Sequence, residues 1–400
     1  MAMAHKKLIY LKKKFSKIEG FLKEKKVIYL IRLVLISMII LNLVAVVYQE
    51  RGKYFVNHYW ENFPALEKVF RSSQYMNKHP KGFIPDEIAL SYAGGKLIKG
   101  TNPVLVVPEA PPLGKYLVGL STVFFDNDST VILISGVLVL FCLYLLGFQV
   151  LSSKTLALIP PFLFSSEQMF KNQFIYTPLF DLFQLVFLIA GFYFFNRGAS
   201  SKKFLIPFLL TNIFLGLFIS TKFFVTGSTI VFAWFLVLFL RKDFKKLFYL
   251  FLMLPVSIFI LLFSYIRVFA FGYTLSRFLG IQKWIFLYHK SQLILPFSAW
   301  PLLLLNRWYV WFGNKPVISD AQWSILWPIA TIGSIIAIFL YVFKKIQKNP
   351  QVEILMAWFV GYMLFLSVGQ IFSRYFVIMI PILYIILVYG LVSVYKVFKQ

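Results

Sequence analysis

The sequence is short of the charge that keeps a soluble enzyme in water. Only 14% of its 400 residues are charged and just 15 are acidic, where an ordinary soluble domain carries about a quarter charged residues. Its one cysteine, Cys142, lies inside an apolar run, which excludes an internal disulfide and argues against a thiol nucleophile. The four histidines, His5, His58, His79 and His289, show no HxxxH or HExxH spacing, so no dedicated zinc site is indicated. Gly94-Gly95-Lys96 lacks the GxxxxGK[ST] frame of a phosphate-binding loop, and no GxGxxG follows a strand pattern.

What fills the chain instead is apolar. Hydrophobic residues make up 60% and aromatic ones 20%, with a mean hydropathy of +0.77. They come in runs of roughly 17 to 24, long enough to cross a hydrocarbon layer of about 30 Å. The fold class this implies is an all-α polytopic membrane protein. The 41 basic residues against 15 acidic ones give a net charge of +26, yet no recognition helix or stacking groove accompanies them, so nucleic acid is not an expected partner. Many fall in short clusters, Lys6 to Lys26, Arg197 to Lys203, Arg241 to Lys246, Lys344 to Lys348 and Lys396 to Lys399, of the kind that orient spans by the positive-inside rule.

With those clusters on the cytoplasmic side, about ten spans follow. The first, about 27–48, is too long for a signal-peptide core and reads as a retained span. The others fall near 130–150, 155–168, 174–195, 204–221, 223–240, 247–266, 324–343, 353–371 and 375–395, with Pro160–Pro161 making the third irregular. Apolar patches at 113–125 and 291–305 fit re-entrant or interfacial helices. The expected organisation is a basic cytoplasmic N-terminus 1–26, a transmembrane module 27–266 with an exterior segment 49–128, an exterior aromatic segment 267–322, and C-terminal helices 323–400.

That topology sends Asp86, Glu87, Glu109, Lys115, Glu167, Asp181, Lys222, Arg267, Arg307 and Arg374 to the exterior face, while plain lysines collect inside. A charge in the apolar zone costs roughly 2.5–3.5 kcal/mol, so Asp181 and Lys222 need partners or water and are expected to line one outward-facing cavity. Each motif alone has a bland account. Asp86-Glu87 after Pro85 suits a helix start, Pro111-Pro112-Leu113-Gly114-Lys115 suits a turn back to the membrane, and Trp284 to Tyr309 suits an aromatic belt.

Their order is more specific. An acidic pair soon after the first span, then PPLGK, an aspartate at the outer mouth of the fourth span and a lysine closing the fifth resembles the GT-C membrane glycosyltransferases. Within them the chain looks most like the protein O-mannosyltransferases, with Tyr288-His289 and Trp300-Pro301-Leu302 among the matching parts. It departs from that pattern around Tyr176, where an arginine is expected, at Leu295 in place of a histidine, and at Trp308, where proline would follow Arg307. The resemblance implies a GT-C helical bundle with extracytoplasmic juxtamembrane helices. It also implies inverting transfer of a sugar, mannose, from a polyprenyl-phosphate carrier to a Ser or Thr hydroxyl of a protein or peptide at the extracytoplasmic face of the plasma membrane. The role of general base carries onto Asp86, with Glu87 in support. Asp181 and His289 are expected to line the site, and Lys115, Lys222, Arg307 and Arg374 to be candidate phosphate contacts. No cofactor is required by that chemistry, although Asp86, Glu87 and Glu109 could hold a hard divalent cation. Transfer of another sugar to a lipid or cell-wall glycan, a transporter or lipid flippase, and a non-catalytic scaffold stay open as alternatives.

Overall fold

In the computed structural model, residues 24–77, 79–80, 83–290, 295–310, 314, 316–369 and 371–399 are described. The N-terminal stretch 1–23, expected to be cytoplasmic, lies outside the described residues together with His5, and so do 291–294 and 311–313 of the aromatic segment.

The chain is helical almost throughout. It opens with α1 (Lys25–Gln49), α2 (Arg51–Tyr54), α3 (Tyr59–Ser72), α4 (Asp86–Ile98), α5 (Pro112–Phe125) and α6 (Thr130–Leu151). The middle holds α7 (Ile159–Ser166), α8 (Gln168–Ile175), α9 (Asp181–Ser200), α10 (Leu205–Thr221), α11 (Gly227–Leu240), α12 (Phe244–Leu252), α13 (Leu254–Ser264) and α14 (Ile266–Ala270). Then come α15 (Leu275–Lys290), α16 (Ala299–Leu305), α17 (Leu326–Val342), α18 (Pro350–Ser367) and α19 (Ile380–Lys399). Two short strands, β1 (Trp308–Tyr309) and β2 (Val317–Ile318), form an antiparallel hairpin with Trp308 opposite Ile318.

Among the described residues, six helical stretches are long and apolar enough to cross a membrane, and four shorter apolar ones, Leu156–Ser166, Leu205–Thr221, Phe224–Leu240 and Leu326–Val342, lie where the other expected spans fall. α1 spans about 38 Å at 1.5 Å per residue and exposes Leu33, Ile36, Ile40, Leu41 and Val44. Such a helix, apolar on every side, belongs against lipid. The interior is built by α9 against α10 and α6, α11 against α18, and α17 against α19, with α7 set between α1 and α19. Trp234, Trp327 and Trp358 are among the largest side chains wholly enclosed there. The chain is an integral membrane protein.

The span edges differ from expectation where proline acts. Pro160 and Pro161 sit in the first turn of α7, where a missing N–H costs nothing, so they do not distort the helix. The break comes at Glu167, whose extended backbone (ψ 138°) separates α7 from α8. The span expected over 174–195 begins only at Asp181, because Pro178 lies in the linker after α8. The span near 247–266 is interrupted at Met253, with Pro255 in the first turn of the helix that follows.

Candidate active site

Four elements distant in sequence bring one cluster of charge to one end of the bundle. Asp86 is the first residue of α4, with Pro85 as its N-cap. A carboxylate there is favoured by the exposed N–H groups of the first turn. Asp181 likewise opens α9. Lys222 follows the last residue of α10, and Arg374 lies in the single 3-10 turn Ser373–Phe376 that precedes α19.

These charges pair across the bundle. Arg374 Nη1 donates to Asp86 Oδ2 across 288 residues of chain, and Lys222 Nζ donates to Asp181 Oδ1. Tyr375 joins them, its ring centroid 5.4 Å from Lys222 Nζ and 5.9 Å from the Arg374 guanidinium carbon. Burial pushes the Asp86 carboxyl up, but Arg374, with help from Lys222, outweighs it and holds Asp86 below the ordinary carboxylate range. Arg374 keeps one donor in hand, since its buried Nε has no acceptor among the described residues.

Asp86, Glu87 and Arg374 border a cavity of about 240 Å³ whose other wall is made by Asn172, Gln173, Tyr176, Leu179 and Gln322. Glu87 has no ion-pair or hydrogen-bond partner among the described residues, leaving its carboxylate free to the cavity. His289 comes in from α15 and lies against Phe223, beside Lys222, with ring centroids 4.3 Å apart. Burial lowers its pKa to about 4, so the imidazole is neutral at neutral pH; Lys222 and Arg374 push the same way.

Lys115, expected as a phosphate contact, stands elsewhere. Only 1% exposed, its ammonium donates to the carbonyls of Pro103 (3.1 Å), Val106 (3.0 Å) and Val107 (3.0 Å). Burial draws its pKa down toward about 7, and neighbouring Glu109 opposes this. Three carbonyl acceptors match the three N–H groups of an ammonium, so the side chain clamps a loop and has nothing left for a ligand. Glu109 accepts a 2.5 Å hydrogen bond from Tyr75; it does not line the cavity, although its backbone faces His289 and its carboxyl feels the charge of Asp86. Arg307 is exposed and has no side-chain partner among the described residues; the fold does not bring it into the cluster. Among the described residues, no group of three or more His, Cys, Asp or Glu side chains gathers to hold a metal ion, so Asp86, Glu87 and Glu109 do not form such a set.

The cavity wall from α8 has no motif to announce it. Its only advance sign is polarity, Asn172 and Gln173 standing with Gln168 and Lys171 in a helix that is half polar.

No family model matches the chain, and no curated protein does. Solved structures do. ArnT from Cupriavidus metallidurans bound to undecaprenyl phosphate superposes with a TM-score of 0.52 at 16% identity, over 86% of this chain and 63% of that one. Its apo state gives 0.54 at 13% identity, over 84% and 59%. The archaeal oligosaccharyltransferase AglB from Archaeoglobus fulgidus, in complex with an inhibitory peptide and a dolichol-phosphate, gives 0.52 at 13% identity, over 90% and 50%. The chain thus spans between half and about two thirds of the length of these proteins. With its helices, its pattern of spans and these superpositions taken together, the chain has the GT-C fold of membrane glycosyltransferases.

Proposed function

We propose that the protein is an inverting glycosyltransferase that moves a sugar, mannose, from a polyprenyl-phosphate carrier to a Ser or Thr hydroxyl of a protein, at the extracytoplasmic face. The observation that carries this reading is the Asp86–Arg374 pair, with Lys222 beside it, at the mouth of a cavity at one end of an apolar bundle. Structures of the same fold hold undecaprenyl phosphate in one case, and dolichol-phosphate with a peptide in another, which supports a lipid-linked donor. The basic clusters between spans support placing the cavity on the side away from the cytoplasm.

The chemistry asks for a group that takes a proton and a group that receives negative charge. The acceptor oxygen bonds to the anomeric carbon as the bond from that carbon to the phosphate oxygen breaks. The hydroxyl proton passes to Asp86, and the bonding electrons leave with the polyprenyl phosphate. Asp86 is ionised at neutral pH and ready to accept. Arg374 and Lys222 offer fixed positive charge where the phosphate gains its own, an arrangement worth far more in a site shielded from water than in solution. Arg374 is suited to two oxygens at once through its planar fork. Glu87 orients the acceptor, and Asp181 holds Lys222 in place.

The test is transfer of mannose from polyprenyl-phosphate mannose to a Ser/Thr-rich peptide by the purified protein in detergent. Asp86→Asn is expected to lower the rate at least about a hundredfold, the usual range for a lost general base, measured at a temperature where the variant is folded, since the loss of charge also weakens the pair with Arg374. Full activity of Asp86→Asn would remove Asp86 as the base. Absence of wild-type transfer to peptide, with transfer to a lipid or glycan hydroxyl, would replace the acceptor.

A further inference from the structure

The two walls of the 240 Å³ cavity differ in kind. One carries Asp86, Glu87 and Arg374. The other carries three carboxamides, Asn172, Gln173 and Gln322, and the phenol of Tyr176, with no formal charge.

Gln173 is the unusual member. It is 1% exposed, and its Oε1 is buried without a hydrogen-bond partner; its Nε2 makes no hydrogen bond among the described residues either. An unpaired buried amide is destabilising, and such groups in native proteins are otherwise nearly always satisfied. Gln173 borders the cavity, but its Oε1 is itself closed off from water, so the amide must turn for that oxygen to meet a ligand. Neighbouring Asn172 is held from one side, its Oδ1 accepting from Gln168 Nε2 at 2.8 Å, which fixes the amide and leaves its NH₂ without an acceptor among the described residues. Glu167, the joint before α8, accepts from Trp327 Nε1 at 3.2 Å and from Tyr384, so α8 is tied to α17 and α19 and the wall is set in advance. The cavity has the volume of about eight water molecules, room for a single sugar ring.

We infer that Asn172, Gln173 and Gln322 form the sugar subsite of the donor, a neutral wall that reads hydroxyl groups with paired amide donors and acceptors while Lys222 and Arg374 take the phosphate. A carboxamide offers both a donor and an acceptor, as does each sugar hydroxyl. A buried amide left unpaired by the wrong ligand discriminates more strongly than apolar contact does. This inference rests on the donor reading above, and it makes these residues determinants of which sugar is carried.

Binding of two lipids to the purified protein tests it, polyprenyl phosphate and polyprenyl-phosphate mannose, each compared for wild type, Gln173→Leu and Gln322→Ala. Gln322 lies in a loop between β2 and α17, so its truncation spares the helices should Gln173→Leu fold poorly. The expected result is a five- to tenfold loss of affinity for the sugar-bearing lipid, the worth of about one neutral hydrogen bond, with the bare phosphate lipid unaffected. Equal losses for both lipids, or none for either, would overturn the subsite. A wild type that binds neither lipid would overturn the donor reading and the subsite with it, whereas normal binding of both without transfer to peptide would count against the acceptor alone.

Discussion

Lys115 and Lys222 are both lysines near the ends of apolar stretches, and the fold gives them opposite tasks. Lys222 faces Asp181 and the cluster; Lys115 faces three carbonyls of the segment between α4 and α5. The distinction yields a test. Lys115→Met keeps the volume but strands those carbonyls in a dry site, so unfolding in detergent should show a loss of about 3 kcal/mol, with polyprenyl phosphate affinity unchanged at a temperature where the variant is folded. Weakened phosphate binding with intact stability would instead return Lys115 to the site. Such an outcome could not be foreseen from PPLGK, because a motif fixes which residues are present and leaves open which way a long side chain turns. His289 makes a second residue-scale case. Its pKa of about 4 lies below the ordinary 6.5 because of burial, then of Lys222 and Arg374. Between those values the unfolded chain binds the extra proton and the folded one does not, so stability falls as pH drops from 6.5 toward 4. Groups facing the imidazole include Lys222, Arg374 and the Glu109 backbone. Thermal unfolding of His289→Phe should therefore depend less on pH between 6.5 and 5 than wild type does; an identical slope would show that the imidazole is not buried in solution.

At the scale of elements, the position of Asp86 depends on how closely α4 lies on α5. The helices meet through Gly94 and Gly119, where a Cβ on Gly119 would stand 2.7 Å from the Gly94 carbonyl oxygen and one on Gly94 would stand 3.0 Å from the Gly119 nitrogen. Backbone cannot step aside as a side chain can, so Gly119→Val should force the helices apart at a cost of about 1–3 kcal/mol. The same displacement carries the start of α4, and the sugar transfer proposed above should fall more steeply than stability does. Retention of full activity and unfolding temperature would show that the contact is looser than the backbone spacing indicates. The helices themselves are legible in the sequence, since apolar runs of membrane length arise chiefly where a helix must cross lipid, and the ends of α1, α6 and α10 fall within about two residues of expectation. The interruptions at Glu167, before Asp181 and at Met253 are harder to read. Proline marks a neighbourhood where regular helix stops, but whether it starts the next helix or breaks the present one is settled by packing.

For the molecule as a whole, the sequence places Asp86, Asp181, Lys222 and Arg374 toward one end of the bundle, and the pairs Asp86–Arg374 and Asp181–Lys222 follow only once the helices are packed. Spacing along the chain carries no information about partners 288 residues apart. The cavity wall of Asn172, Gln173 and Gln322 is less legible still, because amides have no charge to reveal a need for a partner. The wide separation of Asp86 and Arg374 matters during synthesis too. The carboxylate arrives early, just after the first span, and its guanidinium waits for the turn that leads into the last helix. Until that final segment is threaded into the bilayer, Asp86 lacks its ion-pair partner and the cavity lacks a side. A chain still short of that segment therefore has neither the Asp86–Arg374 pair nor the full cavity lining, and the site is complete only once α19 and the turn before it are in place.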